Sequence, residues 1–254
     1  MVRTILSLLI VGLVVSLARP AWAVPMLQLD IEDGTYDASE ETIVIGTPTF
    51  TVRAFLRGDG DLTQAYYLSV ALRPKTGPES ADLGSFTISD LTVEVTGDME
   101  YGVPPFEEFI EHDGGDLGQH DIYETFFLEH EFYFSAADAT DTRNTADNPG
   151  AAIEPYAGSG GMSYYAEFEI DATLLDAGLD LHFDLYSTKL GQKKPNGDID
   201  VDQFAPFSHD AEYRFEGNVV PEPASVAVWS MLVLGGVGVA MRRRIGAKSA
   251  ATHA

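Results

Sequence analysis

Short runs of alternating apolar and polar residues dominate the chain between residues 26 and 216. The runs at 27–31 and 91–95 alternate most cleanly. A period of two residues sends successive side chains to opposite faces, which indicates strands with one buried face. Further strands are predicted at 50–56, 67–72, 86–88, 122–128, 131–134, 164–170, 179–186 and 211–215.

The segments between these runs are rich in residues that reverse a chain. Glycine and Asx residues tolerate tight or left-handed backbone, so they mark turns. Only residues 172–177 hint at a helix. Residues 135–162 are either a long surface loop or a weak domain boundary, and the loop is favoured because strands resume beyond it. We therefore expect an all-β fold, an antiparallel β-sandwich. Turns are predicted at Asp33-Gly34, Gly58-Asp59-Gly60-Asp61, Thr96-Gly97-Asp98 and Asn196-Gly197.

The N-terminal segment has the layout of a secretory signal peptide. Arg3 precedes an apolar run at 5–18, and Ala21-Trp22-Ala23 follows it. A basic start, a short apolar stretch and an A-x-A sequence predict cleavage after Ala23. The alternative is an uncleaved membrane anchor, although the run is short for a span of about 20 residues. Either interpretation exports the rest of the chain.

The composition changes abruptly near the C-terminal end. The motif Val220-Pro221-Glu222-Pro223 precedes an apolar stretch at 224–241, and Arg242-Arg243-Arg244 follows. Two closely spaced prolines hold the chain extended and separate it from the preceding fold. A run of about 18 residues can cross a bilayer as a helix, and arginines at its end stay cytoplasmic. One transmembrane helix with the body outside is therefore predicted.

These three parts resemble the PEP-CTERM sorting signal of Gram-negative bacteria. The resemblance implies an exosortase as partner, which would cut near Pro221, Glu222 and Pro223 after the secretion machinery has exported the body. The inner membrane would then hold the chain only in transit to the cell surface or the extracellular space. The alternative is a plain anchor that is not cut. The sequence therefore predicts a signal peptide at 1–23, a β-sandwich body at 24–218 and a sorting signal at 219–246.

The body resembles the choice-of-anchor N family, which carries no known activity. The resemblance therefore implies no catalytic residue. It rests on residues 27–37, 69–75, 101–105, 120–123 and 204–210.

Acidic residues far outnumber basic ones, with 40 Asp and Glu against 15 Lys and Arg and a net charge of −25. Such a field repels nucleic acid and anionic lipid, so nucleic acid is not expected as a partner of the body. It favours solubility, divalent cations and neutral or cationic partners. The alternative, which is preferred, is that the acidity only keeps a secreted protein dispersed. The chain has no cysteine, which excludes thiol catalysis and zinc-thiolate sites.

Two groups of aspartates are candidate ligands for Ca²⁺, a possible cofactor that binds carboxylate oxygens on flexible loops. Asp198, Asp200 and Asp202 alternate like the start of an EF-hand loop, but Gln203 replaces its glycine and His209 its closing glutamate. They could instead be the solvated face of a strand. The second group, in the long loop, is Asp138, Asp141 and Asp147.

His112, His120 and His130 lie among carboxylates, a composition that suits a transition-metal site or an acid–base pair. Their spacing matches no known zinc motif, and chance proximity in an acidic chain is the preferred interpretation. Aromatic pairs such as Tyr66-Tyr67 could stack on sugars, but neighbours on a strand face opposite sides, so one of them is expected in the core.

The sequence contains neither a G-x-S-x-G nucleophile motif nor a phosphate-binding loop. We therefore expect a non-catalytic surface or matrix protein that binds exopolysaccharide or protein partners. The alternative is a secreted glycan hydrolase that uses paired carboxylates.

Overall fold

The computed structural model describes residues 24–74, 77–78, 82–107, 122, 124–189, 192, 195, 204–205 and 209–215. These residues form strands joined by turns, so the all-β class is confirmed. The short helix α1, Val95–Asp98, follows β7. The strands are β1 Leu27–Ile31, β2 Thr35–Asp37, β3 Thr42–Ile45, β4 Thr49–Arg57, β5 Tyr66–Arg73, β6 Ser85–Ile88, β7 Leu91–Glu94, β8 Glu100–Gly102, β9 Thr125–Phe132, β10 Ala139–Asp141, β11 Met162–Asp171, β12 Asp180–Ser187 and β13 Ala211–Tyr213.

The first sheet has the strand order β1-β4-β11-β6-β7, and β10 joins it by pairing with β11. Its strand pairs are antiparallel. The longest pairing runs from Thr49 opposite Asp171 to Arg57 opposite Ser163. Such a ladder satisfies the backbone N–H and C=O groups that the middle of the sheet buries.

The second sheet has the order β2-β3-β13-β12-β5-β9-β8. One of its pairs departs from the predicted antiparallel arrangement, because β13 lies parallel to β3 with Ala211 opposite Ile43. A parallel pair needs a long connection, and here most of the chain lies between the two strands. Local turn signals cannot reveal such a pairing.

A single hydrophobic cluster takes side chains from both sheets. Leu29 and Val52 reach it from the first sheet, and Val70 and Phe183 reach it from the second. The ring of Phe50 on β4 packs edge-on against Phe183 at 6.0 Å. Each fully buried side chain of this size contributes roughly 1.5–3 kcal/mol. The architecture is therefore sandwich-like, with two sheets that share one core.

The outer face of the first sheet is covered at β1 and the adjoining part of β4 by residues 142–152, here called the covering loop. The guanidinium of Arg143 lies 4.7 Å above the ring of Phe55 and donates to the Asp30 carboxylate at 2.8 Å. The Gln28 side chain donates to the backbone oxygen of Arg143 at 3.0 Å and accepts from the backbone N–H of Thr145, also at 3.0 Å. Polar bonds to β1 therefore hold the loop in place.

This loop corrects the prediction that residues 135–162 form a strand-free surface loop. The segment contains β10, which pairs with β11, and the covering loop, which packs on the first sheet. β10 is only three residues long, so alternation within it is too brief to signal a strand.

Other local predictions are also corrected. The two strands predicted at 122–128 and 131–134 are one strand, β9, which runs on through Glu129 and His130. Residues 172–177 form turns and an isolated bridge from Leu175 to Gly84 rather than a helix. The turn predicted at Thr96-Gly97-Asp98 lies within α1.

Among the described residues, no helix has the length and apolar character needed to cross a membrane. The transmembrane helix predicted at 224–241 lies outside those residues.

Candidate functional site

β12 carries apolar and polar side chains on opposite faces of the second sheet. Leu181, Phe183 and Leu185 belong to the shared core, so His182 and Asp184 face outward. These two outward residues are nevertheless only 3% and 2% exposed. The outer face of the second sheet is therefore covered at this point.

Aromatic side chains provide part of this cover. Phe106 and Phe204 are each 1% exposed and pack edge-on with their centroids 5.2 Å apart. Phe106 also stacks over Tyr186, and Tyr186 stacks on Tyr67 at 5.4 Å. Tyr66 lies in the core, as expected for one member of the Tyr66-Tyr67 pair.

A histidine and two aspartates meet under this cover. His182 stands opposite Glu212 in the pairing of β12 with β13, and Phe183 stands opposite Ala211. One step beyond that last pair, the antiparallel arrangement brings Asp184 beside Asp210. His182 Nε2 lies 3.4 Å from Asp184 Oδ1 and 3.8 Å from Asp210 Oδ2. One ligand atom from each of the three residues lies within 4.8 Å of the other two. This buried group, here called the His–Asp group, could hold a metal ion.

The neighbouring strands add a further carboxylate to this face. Ser69 on β5 stands opposite Asp184, and Glu129 on β9 stands opposite Ser69. Glu129 accepts hydrogen bonds from the Ser69 hydroxyl at 2.7 Å and from the Tyr186 hydroxyl. Burial raises the pKa of Glu129, the two hydrogen bonds oppose that rise, and the charge of Asp184 adds to it. Burial and the charge of Glu129 likewise raise the pKa of Tyr186.

A separate cleft opens at one end of the first sheet and has a volume of about 770 Å³. It lies where β4 begins and β11 ends, beside the turn after β1. Its polar lining combines carboxylates with hydroxyls. The polar side chains are those of Glu32, Asp33, Thr47, Thr49, Thr51, Thr87, Ser89, Glu169 and Asp171.

The aspartates predicted to hold Ca²⁺ are not brought together in the part of the chain that the structure describes. Asp198, Asp200 and Asp202 lie outside that part. Asp138 and Asp147 are exposed, and Asp141 lies on β10. The metal-ligand group found among described residues contains none of these three loop aspartates.

Of the three histidines in the predicted cluster, the structure describes only His130. His130 points to the core side of β9, where its ring packs edge-on against Phe168 at 5.6 Å. Burial lowers its pKa, which favours the neutral imidazole. His112 and His120 lie outside the described residues.

The segments predicted to direct export also lie outside the described residues. They are the cleavage residues Ala21 and Ala23, the motif Val220, Pro221, Glu222 and Pro223, and the cluster Arg242, Arg243 and Arg244.

The His–Asp group was not predicted from the sequence, although part of its signal is present there. His182 and Asp184 are two residues apart in a predicted strand, so they share a face opposite Leu181, Phe183 and Leu185. A histidine and an aspartate on the same face of a strand whose other face is in the core indicate a candidate site on that outer face. Asp210 could not be added, because its place depends on the pairing of β12 with β13.

No protein-family model matches the chain, and no curated protein matches it either.

Proposed function

We propose that the chain is an exported cell-surface or extracellular-matrix protein whose body is a non-catalytic binding module. Its C-terminal segment is an exosortase sorting signal of the PEP-CTERM type, and its N-terminal segment is a cleaved signal peptide. The body is an antiparallel β-sandwich with one parallel pair of strands, and its sequence resembles the choice-of-anchor N family. Support for export comes from the basic and apolar pattern at both ends of the chain.

The cleft at the end of the first sheet is the observation that supports binding. Its carboxylates and hydroxyls are hydrogen-bonding groups that suit the many hydroxyls of a sugar polymer. The net charge of −25 disfavours an anionic polymer in this place. The ligand class that fits best is a neutral or cationic exopolysaccharide.

A binding assay tests this part of the proposal. Isothermal titration of the protein with neutral, cationic and anionic polysaccharides should give heat with the first two classes. Glu169→Gln removes a charge from the cleft lining and should weaken binding of a cationic polymer about tenfold, a loss of about 1.4 kcal/mol. Glu94→Gln, on the exposed edge strand β7, is the matched control. Binding to no polysaccharide would contradict the proposal.

Mass spectrometry of the mature surface protein tests sorting. The expected C-terminal peptide ends near Pro221, Glu222 and Pro223, and Glu222→Ala should leave the protein uncut. A surface protein whose C-terminal peptide extends through Met241 would show that the tail is a permanent anchor.

The same cleft supports the alternative, a carboxylate-dependent glycan hydrolase. Glu32, Asp33, Glu169 and Asp171 all line it, and glycosidases need two facing carboxyl groups. Two features favour binding instead. Glu32 accepts from Arg53 at 2.6 Å. Hydrogen bonds from Thr173 lower the pKa of Asp171, which suits a base rather than a proton donor. Release of reducing ends that Asp171→Asn abolishes would establish the hydrolase.

A further inference from the structure

We propose that His182, Asp184 and Asp210 bind one divalent transition-metal ion, of the zinc or manganese class, which fixes β13 against β12. This site lies on the second sheet and shares no residue with the cleft lining. It therefore goes beyond the proposed function and does not depend on it.

The distances within the His–Asp group are close to those of a coordination sphere. Two ligand atoms bound about 2.0–2.1 Å from a tetrahedral zinc ion lie roughly 3.3–3.4 Å apart. Nε2 of His182 is already 3.4 Å from one aspartate oxygen and 3.8 Å from the other. Small rotations of the three side chains would bring their ligand atoms to bonding distance from one ion.

The donor set selects the class of metal. An imidazole nitrogen suits zinc and other transition metals, and carboxylates complete such sites. Calcium takes six to eight oxygen ligands from flexible segments. The His–Asp group instead offers one nitrogen and two carboxylates, two of the three side chains standing on a central strand. Calcium is therefore the poorer fit.

Electrostatics favours a cation at the same place. Two carboxylates lie beside the imidazole of His182, and all three side chains are at most 4% exposed. Burying like charges together is costly, and a bound divalent ion neutralises both. Asp184 also acts on Glu129, whose pKa its charge raises, so the negative field extends across β5.

The positions of the three ligands point to a structural ion. Two ligands belong to β12, and Asp210 immediately precedes β13, after the chain has run on from Ser187. An ion that joins them closes this long connection and holds β13 in the sheet. Burial leaves little room for a substrate, whereas catalytic ions keep an open position.

Metal content and thermal stability of the full chain, purified without a histidine tag, test the proposal. The protein as isolated should contain about one zinc or manganese per chain, and chelation should lower its Tm. Restoring Zn²⁺ or Mn²⁺ at about a hundredfold excess over Kd should raise Tm by about 5–10 °C. Ca²⁺ at the same concentration should have little effect. No metal in the protein and no response to Zn²⁺ or Mn²⁺ would overturn the proposal, and an equal response to Ca²⁺ would overturn the metal class.

Variants separate coordination from packing. Asp184→Asn should abolish the zinc-dependent rise in Tm, yet match or exceed the chelated wild type in Tm, because it removes one of two like charges. Asp30→Asn changes an equally buried aspartate on the first sheet and should keep the full zinc response.

His182→Gln and His130→Gln form a second pair: His182→Gln should abolish the zinc response, and His130→Gln should keep it. A zinc response that survives both Asp184→Asn and His182→Gln would overturn the site. If these variants do not fold, the metal content and chelator response of the wild type still decide.

Discussion

Asp30 is a buried carboxylate whose environment favours its protonated form. It is 0% exposed, and its oxygens accept from the backbone N–H of Ile31, the backbone N–H of Gly150 and the Arg143 guanidinium. Burial nevertheless raises the pKa of Asp30 to about 6, against the effect of these donors. Ionisation is therefore harder in the folded state than in the unfolded chain.

This shift makes the contribution of Asp30 to stability depend on pH. A raised folded-state pKa adds stability below the unfolded value of 3.8, and that stability is lost as the pH rises through about 6. The free energy of unfolding of the wild type, minus that of Asp30→Asn, should fall by on the order of 2 kcal/mol between pH 4 and pH 7. Urea denaturation across this range measures it. A difference that grows with pH would show instead that the ion pair with Arg143 dominates.

Tyr186 provides a second test at the residue scale. Its hydroxyl donates to Glu129, whose carboxylate is largely buried on the outer face of the second sheet. Tyr186→Phe removes a hydrogen bond to a buried charge and should lower the free energy of unfolding by about 1.5–3 kcal/mol. Tyr67→Phe is the matched control, because Tyr67 stacks on Tyr186 but donates to exposed Glu131 at 3.2 Å. Equal losses in the two variants would refute the special role of Glu129.

The covering loop is an element whose position depends on one glycine. Gly150 has a φ of +67°, and a Cβ at this residue would lie 2.7 Å from both the N and the O of Gly34. Neighbouring backbone cannot move aside cheaply. Gly150→Ala should therefore destabilise the fold by about 2–4 kcal/mol, from backbone strain and displacement of the loop together.

Gly158 is the control that isolates the conformational part of this effect, so the difference between the two variants gives the steric part. Its φ is +79°, but a Cβ there would meet nothing within 4 Å. Gly158→Ala should show only the conformational cost of about 1–2 kcal/mol. Thermal denaturation of the two variants compares them, and equal shifts in Tm would mean that the covering loop does not need close contact with Gly34.

The longer elements could be predicted from sequence because their signal is local. β1, β4, β5, β11 and β12 all coincide closely with alternating runs, since each has one face in the shared core. The short strands β2, β3, β8 and β10 were not predicted. They have three or four residues, and their neighbours in the sheet rather than their own pattern define them.

The candidate site was predictable only in part for a related reason. Alternation in β12 places His182 and Asp184 on the same face of the strand. The same pattern predicts that this polar face is exposed to solvent, whereas both residues are buried. Burial depends on a cover that includes Phe106 and Phe204, which are distant in sequence. The third ligand, Asp210, depends on the order of strands in the sheet. Neither fact can be obtained from local pattern.

At the scale of the whole molecule, β13, the last described strand, lies in the interior of the second sheet rather than at its edge. β13 lies between β3 and β12, and Ala211 and Tyr213 are 0% and 3% exposed. The predicted sorting signal begins only a few residues later, at 219. Under the proposed function, a cut near 221–223 therefore removes the transmembrane helix and the arginine cluster of the sorting signal and leaves every described strand in place.

Two truncations test this division. A chain of residues 24–218 keeps β13 and should melt within about 2 °C of the full chain, a difference below 1 kcal/mol. A chain of residues 24–209 loses β13 and leaves backbone groups of β3 and β12 without their partners. That loss is comparable with the net stability of about 5–15 kcal/mol that a domain has, so the shorter chain should not fold. Circular dichroism during heating distinguishes them, and a cooperative transition in the shorter chain at the same Tm would mean that β13 is dispensable and that the body ends before it.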